Sequence, residues 1–226
     1  MSNIIVNDNV MPKQETLNKW LSLKDTLSLS CVLTDVQKRN NAMKTTIEMR
    51  SVNKRVIGPA LTVKLTPGDI VDCLVIYKMA QAGQVVVIDA FGERETSIWG
   101  GLMCGLAKAA GIQGAIIDGS ARDIDEAKLL DFPIWSAFTS PRAAHTRISG
   151  RKEPIEVNVP IVCGGVIVNP GDLVIADECG IVVAPMAELD DLYEKAKVQA
   201  DNETAARQDI LNGATVEELL AKYGEI

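Results

Sequence analysis

The chain has 226 residues, of which 47% are hydrophobic, and it carries a formal net charge of −7. This length and apolar content can bury one sizeable core, so we expect a single domain over residues 1–226. We expect no nucleic-acid partner, because phosphate binding needs a basic face and base stacking needs aromatic side chains, which make up only 4% of the chain.

The first half of the chain alternates between helical and strand patterns. We expect an N-terminal helical extension of about 1–33, with a helical stretch at 13–40. A strand at 57–65 and a helix near 71–82 follow. Alternating strands and helices then continue to Phe138. This order predicts an α/β fold in which helices connect the strands of a parallel sheet.

The second half of the chain has a different pattern. Short apolar runs are separated by turn residues such as the Asn-Pro-Gly-Asp at 169–172. We expect strands at 155–159, 162–168, 173–176 and 180–184. The charged amphipathic stretch at 186–211 predicts a long helix within a C-terminal helical region of about 186–226.

Two apolar runs indicate where a ligand would bind. Val85 to Asp89 reads VVVID and Ala115 to Asp118 reads AIID, and both are typical of buried parallel strands that end where a loop begins. In open α/β sheets, ligands bind outside the carboxyl ends of the strands. We therefore expect a site on the loops that follow these two runs.

The first loop leads into a predicted helix and offers an anion site. Gly100 and Gly101 carry no Cβ, so a ligand can approach the backbone closely. The N–H groups of Gly101, Leu102 and Met103 would be unpaired donors at the positive end of the helix dipole. This segment would therefore hold a carboxylate or a phosphate group.

The second loop offers a cation site. Arg122 carries a planar fork of donors that suits a carboxylate or an enolate oxygen, and Asp123 supplies a hard oxygen ligand for Mg²⁺ or Mn²⁺. The two loops together predict a metal-assisted site for a small oxo-acid. The same residues also fit a plain glycine turn and a helix start with an aspartate in its first turn, so spacing alone leaves both interpretations open.

Several landmarks along the chain carry a resemblance to one family. They are GPALTVK at 58–64, PGD at 67–69, QVVVIDAFG at 84–92, WGG at 99–101, DGSARD at 118–123, FPIW at 132–135 and NPGDLVIADECGIVV at 169–183. From about residue 34 to about residue 213, the chain resembles proteins like regulator of ribonuclease activity A. That family includes class II 4-hydroxy-4-methyl-2-oxoglutarate/4-carboxy-4-hydroxy-2-oxoadipate aldolases. The resemblance implies an α/β/β sandwich like that of swivelling domains, assembled as a homotrimer or homohexamer with sites between subunits.

The resemblance also implies roles for the residues of the two loops. Backbone amides from Gly100 to Met103 would hold the carboxylate of pyruvate, Arg122 would contact the keto or enolate oxygen, and Asp123 would bind the divalent metal. An acidic residue on the C-terminal helix of a neighbouring subunit would support the metal's waters. Counting back from the Asn-Gly at 212–213 suggests Glu203 for that role.

Two positions bear on the expected activity. The compared aldolases have a glutamate in place of Gly101, so the substrate can differ although the backbone amide persists. Family members that regulate ribonuclease lack the metal-binding aspartate, so Asp123 favours an enzyme.

We therefore expect a divalent-metal-dependent lyase that cleaves a 4-hydroxy-2-oxo acid, such as 4-hydroxy-4-methyl-2-oxoglutarate, to pyruvate. Oxaloacetate decarboxylation would pass through the same enolate, and a metal-bound water would serve as the base. The alternative is a non-catalytic regulator that binds a protein such as a ribonuclease.

The cysteines and the first residues of the chain bear on the cellular compartment in which we expect the protein. Five cysteines, an odd number without C-x-x-C spacing, argue against a disulfide framework or a zinc site and favour a reducing cytoplasm. The first residues lack a signal-peptide pattern and no apolar run reaches membrane-spanning length, so we expect no membrane partner. Cys104 is either a thiol of lowered pKa or a small buried residue, and the single histidine, His145, is either phosphorylated or structural.

Overall fold

The computed structural model describes residues 5–65, 75–144 and 155–224. In these ranges, three hydrophobic clusters separate four layers of secondary structure: helices, a mostly parallel sheet, short antiparallel strands, and a second set of helices. The predicted α/β sandwich with a C-terminal helix is therefore confirmed. No helix of the described residues combines the length and hydropathy needed to cross a bilayer.

The strands form one large sheet and a separate hairpin. They are β1 (Ile5–Val6), β2 (Glu48–Met49), β3 (Val56–Lys64), β4 (Val85–Trp99), β5 (Gly114–Ala121), β6 (Ile134–Thr139), β7 (Glu156–Val157), β8 (Ile161–Cys163), β9 (Val166–Val168), β10 (Leu173–Asp177) and β11 (Gly180–Ala184). Strands β3, β4, β5 and β6 are parallel neighbours in that order. β10 pairs antiparallel with β11 and with the first half of β3, whereas β8 pairs with β9.

The helices cover the two outer faces. They are α1 (Gln14–Ser22), α2 (Leu29–Val36), α3 (Ile76–Met79), α4 (Gly101–Ala109), α5 (Ile124–Leu129), α6 (Leu189–Leu211) and α7 (Val216–Tyr223). The helical stretch expected at 13–40 is thus two helices, and the strand expected at 162–168 is the β8–β9 hairpin, which turns at Gly164 and Gly165. Of the helix expected near 71–82, residues 71–74 lie outside the described residues, and the described part contains the short helix α3.

The central strands are buried on both faces, which explains their unbroken apolar sequence. In β4, Val86 and Ile88 pack towards α4 and α5, whereas Val85 and Val87 pack towards β8 to β11. Burying one such side chain contributes about 1.5–3 kcal/mol, so this run anchors the strand that leads to the candidate site.

The two strands next to the site end later than predicted. β4 continues beyond Asp89 to Trp99, and β5 continues beyond Asp118 to Ala121, with register irregularities between them. Phe91, with φ 54°, and Gly92, with φ 69°, bend β4 just after Asp89, and pairing then resumes. The expectation of loops directly after the two aspartates was wrong, because a bend interrupts the pattern without ending the strand.

Candidate active site

The glycine pair and the Arg-Asp pair lie side by side at the true carboxyl ends of β4 and β5. Gly100 has extended backbone (φ −150°, ψ −172°) and precedes α4, whose first residue is Gly101. The N–H of Arg122 donates to the carbonyl of Trp99 at 2.9 Å, which ties the two strand ends together. The two loops that the sequence singled out therefore share one edge of the sheet.

Asp123 connects the two loops. Its Oδ2 accepts a hydrogen bond from the Gly101 N–H at 3.1 Å and lies 3.4 Å from Nε of Arg122. Its backbone is left-handed (φ 52°, ψ 43°), a conformation that aspartate tolerates better than most residues. Residues in such conformations cluster at functional sites, where the surrounding structure maintains the strain. The structure thus brings Gly101, Arg122 and Asp123 together. The expectation that the Gly101 N–H is unpaired was wrong, because Asp123 reaches back over the loop and accepts its hydrogen bond.

The ion pair in this cleft contributes little to folding. The side chains of Arg122 and Asp123 are 40% and 39% exposed, and ion pairs of that exposure contribute at most about 1 kcal/mol. Both groups are therefore accessible to a ligand. The two contacts of Asp123 use Oδ2, which leaves Oδ1 for another partner.

Asp123 provides an accessible carboxylate, the kind of ligand that divalent ions use. Among the described residues there is no group of three or more His, Cys, Asp or Glu side chains that could hold a metal ion. Mg²⁺ is commonly bound through one or two carboxylates while it keeps several waters and contacts the substrate. The accessible carboxylate of Asp123 suits that mode of binding.

The sequence interpretation missed Glu126, which is the second carboxylate of this cleft. An ideal Cβ at Gly101 would overlap the carboxyl group of Glu126 and would lie 2.8 Å from its Cγ. A Cβ at Gly100 would lie 2.6 Å from Oδ2 of Asp123. Each glycine therefore faces one carboxylate from the start of α5. The i, i+3 spacing of Asp123 and Glu126 was the available signal, since residues three apart share one helix face.

Cys104 is a small buried residue and not a thiol of lowered pKa, which was the other interpretation of the sequence. Its side chain is fully buried in the core and accepts a hydrogen bond from Nε1 of Trp99 at 3.2 Å. Burial is the main cause that raises the pKa of Cys104 to about 11; the Trp99 hydrogen bond lowers this pKa, and the nearby carboxylates of Glu126 and Asp123 raise it. The thiol is therefore protonated and unreactive at neutral pH.

An apolar surface patch borders the cleft. Met103 points into the core, but Leu102 and Leu106 of α4 and Leu129 of α5 are exposed by 80%, 45% and 88%. We call these three leucines the leucine patch. Leu102 and Leu106 are four residues apart and share one face of α4, and exposed apolar side chains of this kind are typical of an interaction site.

Glu203 lies on α6, on the opposite outer layer from α4 and α5. Its Oε2 pairs with Nη2 of Arg207 at 2.5 Å, and its Oε1 accepts a hydrogen bond from Gln199 at 3.2 Å. The chain therefore does not bring Glu203 to its own Asp123. A role from a neighbouring subunit stays a prediction, and His145 lies outside the described residues.

Two cavities lie away from the cleft. One of about 430 Å³ is lined by α2 and the β10–β11 turn, and one of about 550 Å³ is lined by β3, β4, β5 and the β8–β9 hairpin. The second contains Asp89, whose pKa is raised by burial and by nearby Asp118. The N–H of Phe91 donates to Asp89, and that of Gly164 donates to Asp118. Both aspartates accept hydrogen bonds from backbone N–H groups, and neither lies on a loop at the end of its strand.

Comparison with known proteins identifies the family. The model of the RraA-like family, described as Aldolase/RraA, matches residues 22–183. The chain belongs to this family. A protein of Halalkalibacterium halodurans, provisionally named 4-hydroxy-4-methyl-2-oxoglutarate aldolase, is 37% identical over 183 residues, which cover 80% of this chain and 84% of that protein.

Two solved structures share the RraA-like fold. An uncharacterized protein from Pseudomonas syringae superimposes with a TM-score of 0.77 at 26% identity and covers 93% of this chain and 98% of its own. Streptomyces coelicolor RraAS2, described as an unusual member of the RNase ES inhibitor RraA protein family, superimposes with a TM-score of 0.73 at 25% identity. It covers 87% of this chain and 98% of its own. The family thus contains proteins named for an aldolase and proteins named for ribonuclease inhibition.

Proposed function

We propose that this RraA-like protein is a divalent-metal-dependent lyase that cleaves a 4-hydroxy-2-oxo acid, such as 4-hydroxy-4-methyl-2-oxoglutarate, to pyruvate. The observation that supports this most strongly is the carboxylate of Asp123, held between the N–H of Gly101 and the guanidinium of Arg122. Backbone N–H groups that can bind an anion, the permanent positive charge of Arg122 and the carboxylate oxygens of Asp123 therefore lie in one accessible cleft.

Each group has a place in the reaction. The amides of Leu102 and Met103 at the start of α4 bind the substrate carboxylate with the helix dipole behind them, whereas the Gly101 N–H is already bonded to Asp123. Arg122 donates to the oxygen that becomes negative when the C3–C4 bond breaks and the pyruvate enolate forms. When bound, the metal supplies Lewis-acid polarisation of the 2-oxo group, and Asp123 is the side chain that would hold it.

Oxaloacetate is a second substrate of the same cleft. Loss of carbon dioxide from its C3 leaves the same pyruvate enolate, which Arg122 and the α4 amides would stabilise in the same way. We therefore propose decarboxylation as a side activity that requires the same metal.

We further propose that the active form is a homotrimer or homohexamer. The leucine patch lies beside the cleft, and a second copy that covers it would remove apolar surface from water. A subunit in that position would also bring its own side chains to the edge of the site.

Oxalate titration tests this proposed function. Oxalate resembles the pyruvate enolate and can bind a metal through its oxygens, so it should bind tightly only when Mg²⁺ or Mn²⁺ is present. Binding should weaken in Asp123→Asn and in Arg122→Lys, while circular dichroism shows an intact fold. Oxalate binding that ignores both metal and substitutions would refute the assignment of this cleft.

The second candidate function is a non-catalytic protein regulator. The exposed leucine patch and the ribonuclease-inhibitor name of the Streptomyces neighbour favour it. It becomes the preferred function if no 4-hydroxy-2-oxo acid and no oxaloacetate releases pyruvate with either metal.

A further inference from the structure

Two cysteines from distant parts of the chain lie together at the protein surface. Cys31 is in the first turn of α2, and Cys179 is in the turn between β10 and β11. Both residues are exposed, and both line the cavity of about 430 Å³ beside α2. The structure therefore brings together two thiols whose spacing in the sequence gave no sign of a relation.

Asp177, the last residue of β10, fixes the two segments that carry these cysteines. Its Oδ1 accepts a hydrogen bond from Oγ of Ser30 at 2.6 Å and another from the N–H of Cys179 at 3.0 Å. Its Oδ2 accepts a third from the N–H of Ser30 at 3.1 Å. Because Asp177 is buried, one shielded carboxylate holds the residue before Cys31 and the backbone of Cys179 at the same point.

The two thiols are also in contact. The thiol of Cys179 lies 3.9 Å from Oγ of Ser28, the residue that precedes α2. Burial is the main cause that raises the pKa of Cys31, and a hydrogen bond with the side chain of Cys179 raises it next. Both side chains therefore point into the same space, which is the first geometric requirement for a disulfide.

We propose that Cys31 and Cys179 form a reversible disulfide when the protein meets hydrogen peroxide. In the first step, the thiolate of Cys179 attacks one peroxide oxygen and the O–O bond breaks. Cys179 becomes a sulfenic acid, and the other oxygen takes the proton that the thiol released and leaves as water. In the second step, the sulfur of Cys31 attacks the sulfenic sulfur, the S–O bond breaks, and the hydroxyl group leaves as water with the proton of the Cys31 thiol. The two thiols lose two electrons, one peroxide is reduced to two waters, and a dithiol reverses the bond by exchange.

The order of these steps follows from the state of the cysteines. Because the thiolate is the reactive form, Cys31, whose pKa is raised, attacks peroxide slowly and instead resolves the sulfenic acid on its neighbour. The other cysteines that the structure describes, Cys104 and Cys163, are buried, and burial raises the pKa of both. They do not compete for the oxidant.

The disulfide would stabilise the fold without touching the candidate active site. It joins α2 to the β10–β11 turn, and α2 packs with α6 over β10 and β11, whereas α4 and α5 cover the other side of the molecule. A disulfide that closes a long loop restricts the unfolded chain, so Tm should rise by about 4–16 °C on oxidation. The proposal is therefore independent of the lyase function.

Peptide mass spectrometry with a parallel measurement of Tm tests the proposal. Reduced, folded protein is treated with hydrogen peroxide, its remaining thiols are blocked with N-ethylmaleimide after denaturation, and it is digested with trypsin and endoproteinase Glu-C. The second protease cleaves after Glu178 and so separates Cys179 from Cys163. Most of the protein should carry a link between Cys31 and Cys179 within one chain, and dithiothreitol should remove both the link and the gain in Tm.

Single variants separate the two steps. Cys31→Ser should accumulate a sulfenic acid on Cys179 that dimedone labels, whereas Cys179→Ser should show neither dimedone labelling of Cys31 nor a gain in Tm. Ser28→Ala is the matched control, because it alters the neighbouring hydroxyl group and keeps both thiols, so it should form the link as the wild type does. A link through any other cysteine, a sulfenic acid that persists on Cys179 of the wild type, or an unchanged Tm in the linked protein would overturn the proposal.

Discussion

The steric relation between Gly101 and Glu126 leads to a double-mutant prediction on stability. A Cβ at position 101 overlaps the carboxyl group of Glu126, so Gly101→Ala forces that side chain into another rotamer. The displacement costs about 0.5–1.5 kcal/mol if the new rotamer is strained. Replacing glycine by alanine in a helix returns up to about 1 kcal/mol. Gly101→Ala should therefore leave the free energy of unfolding nearly unchanged in the wild-type background.

The same substitution should behave differently when the carboxylate is absent. In the Glu126→Ala background only the gain from helix propensity remains, so Gly101→Ala should stabilise the protein. The coupling energy is then about 0.5–1.5 kcal/mol, which for a chain of this size corresponds to about 1–6 °C in Tm. Urea denaturation of the four proteins gives this value directly.

A matched control lies one turn further along α4. A Cβ at Gly105 would meet only Cδ1 of Leu130, at 4.0 Å, so Gly105→Ala should stabilise the protein equally with and without Glu126. A coupling energy near zero for Gly101, or an equal value for Gly105, would show that Glu126 does not occupy the space over the start of α4.

Three further predictions concern the site and its surroundings. Arg122→Lys should lower kcat for pyruvate release while the fold persists, because a point charge does not reproduce the guanidinium fork; unchanged steady-state kinetics would contradict this role. Iodoacetamide at pH 8 should label the exposed Cys179 well before Cys104, whose thiolate forms only as the pH approaches its pKa of about 11, and the opposite order in peptide mass spectrometry would contradict the burial of Cys104. Mixing inactive Asp123→Ala chains with inactive Glu203→Ala chains should restore part of the activity if Glu203 reaches a neighbouring site, whereas no recovery after verified subunit exchange would place the second acid elsewhere.

The sequence was most informative where a pattern depends on local backbone. The unbroken apolar run at 85–88 and the turn residues around 169–172 predicted buried strands and tight turns, and both occur there. The sequence also predicted the helix that begins at Gly101. It predicted that Arg122 and Asp123 lie close to this helix start, because parallel strands end at one edge of a sheet.

The sequence was less informative where the outcome depends on tertiary contacts. The bend at Phe91 lets β4 resume its pairing with β5, so an acid at the end of an apolar run did not mark the end of the strand. The position of Glu126 in the cleft could not be predicted from the sequence, because it depends on the packing of the first turn of α5 against Gly101. The place of Glu203 depends on how subunits assemble, and no pattern within one chain contains that information.

Metal-dependent release of pyruvate is the most direct test of the proposed lyase. The substrate is 4-hydroxy-4-methyl-2-oxoglutarate, and the protein is first treated with a chelator and then supplied with Mg²⁺ or Mn²⁺. Wild-type protein should release pyruvate only after metal is restored, and Asp123→Asn should release none at the same metal concentration while its Tm stays within a few degrees. Equal turnover by Asp123→Asn, or turnover by the chelator-treated wild type, would contradict the assignment of Asp123 as the metal ligand of this site.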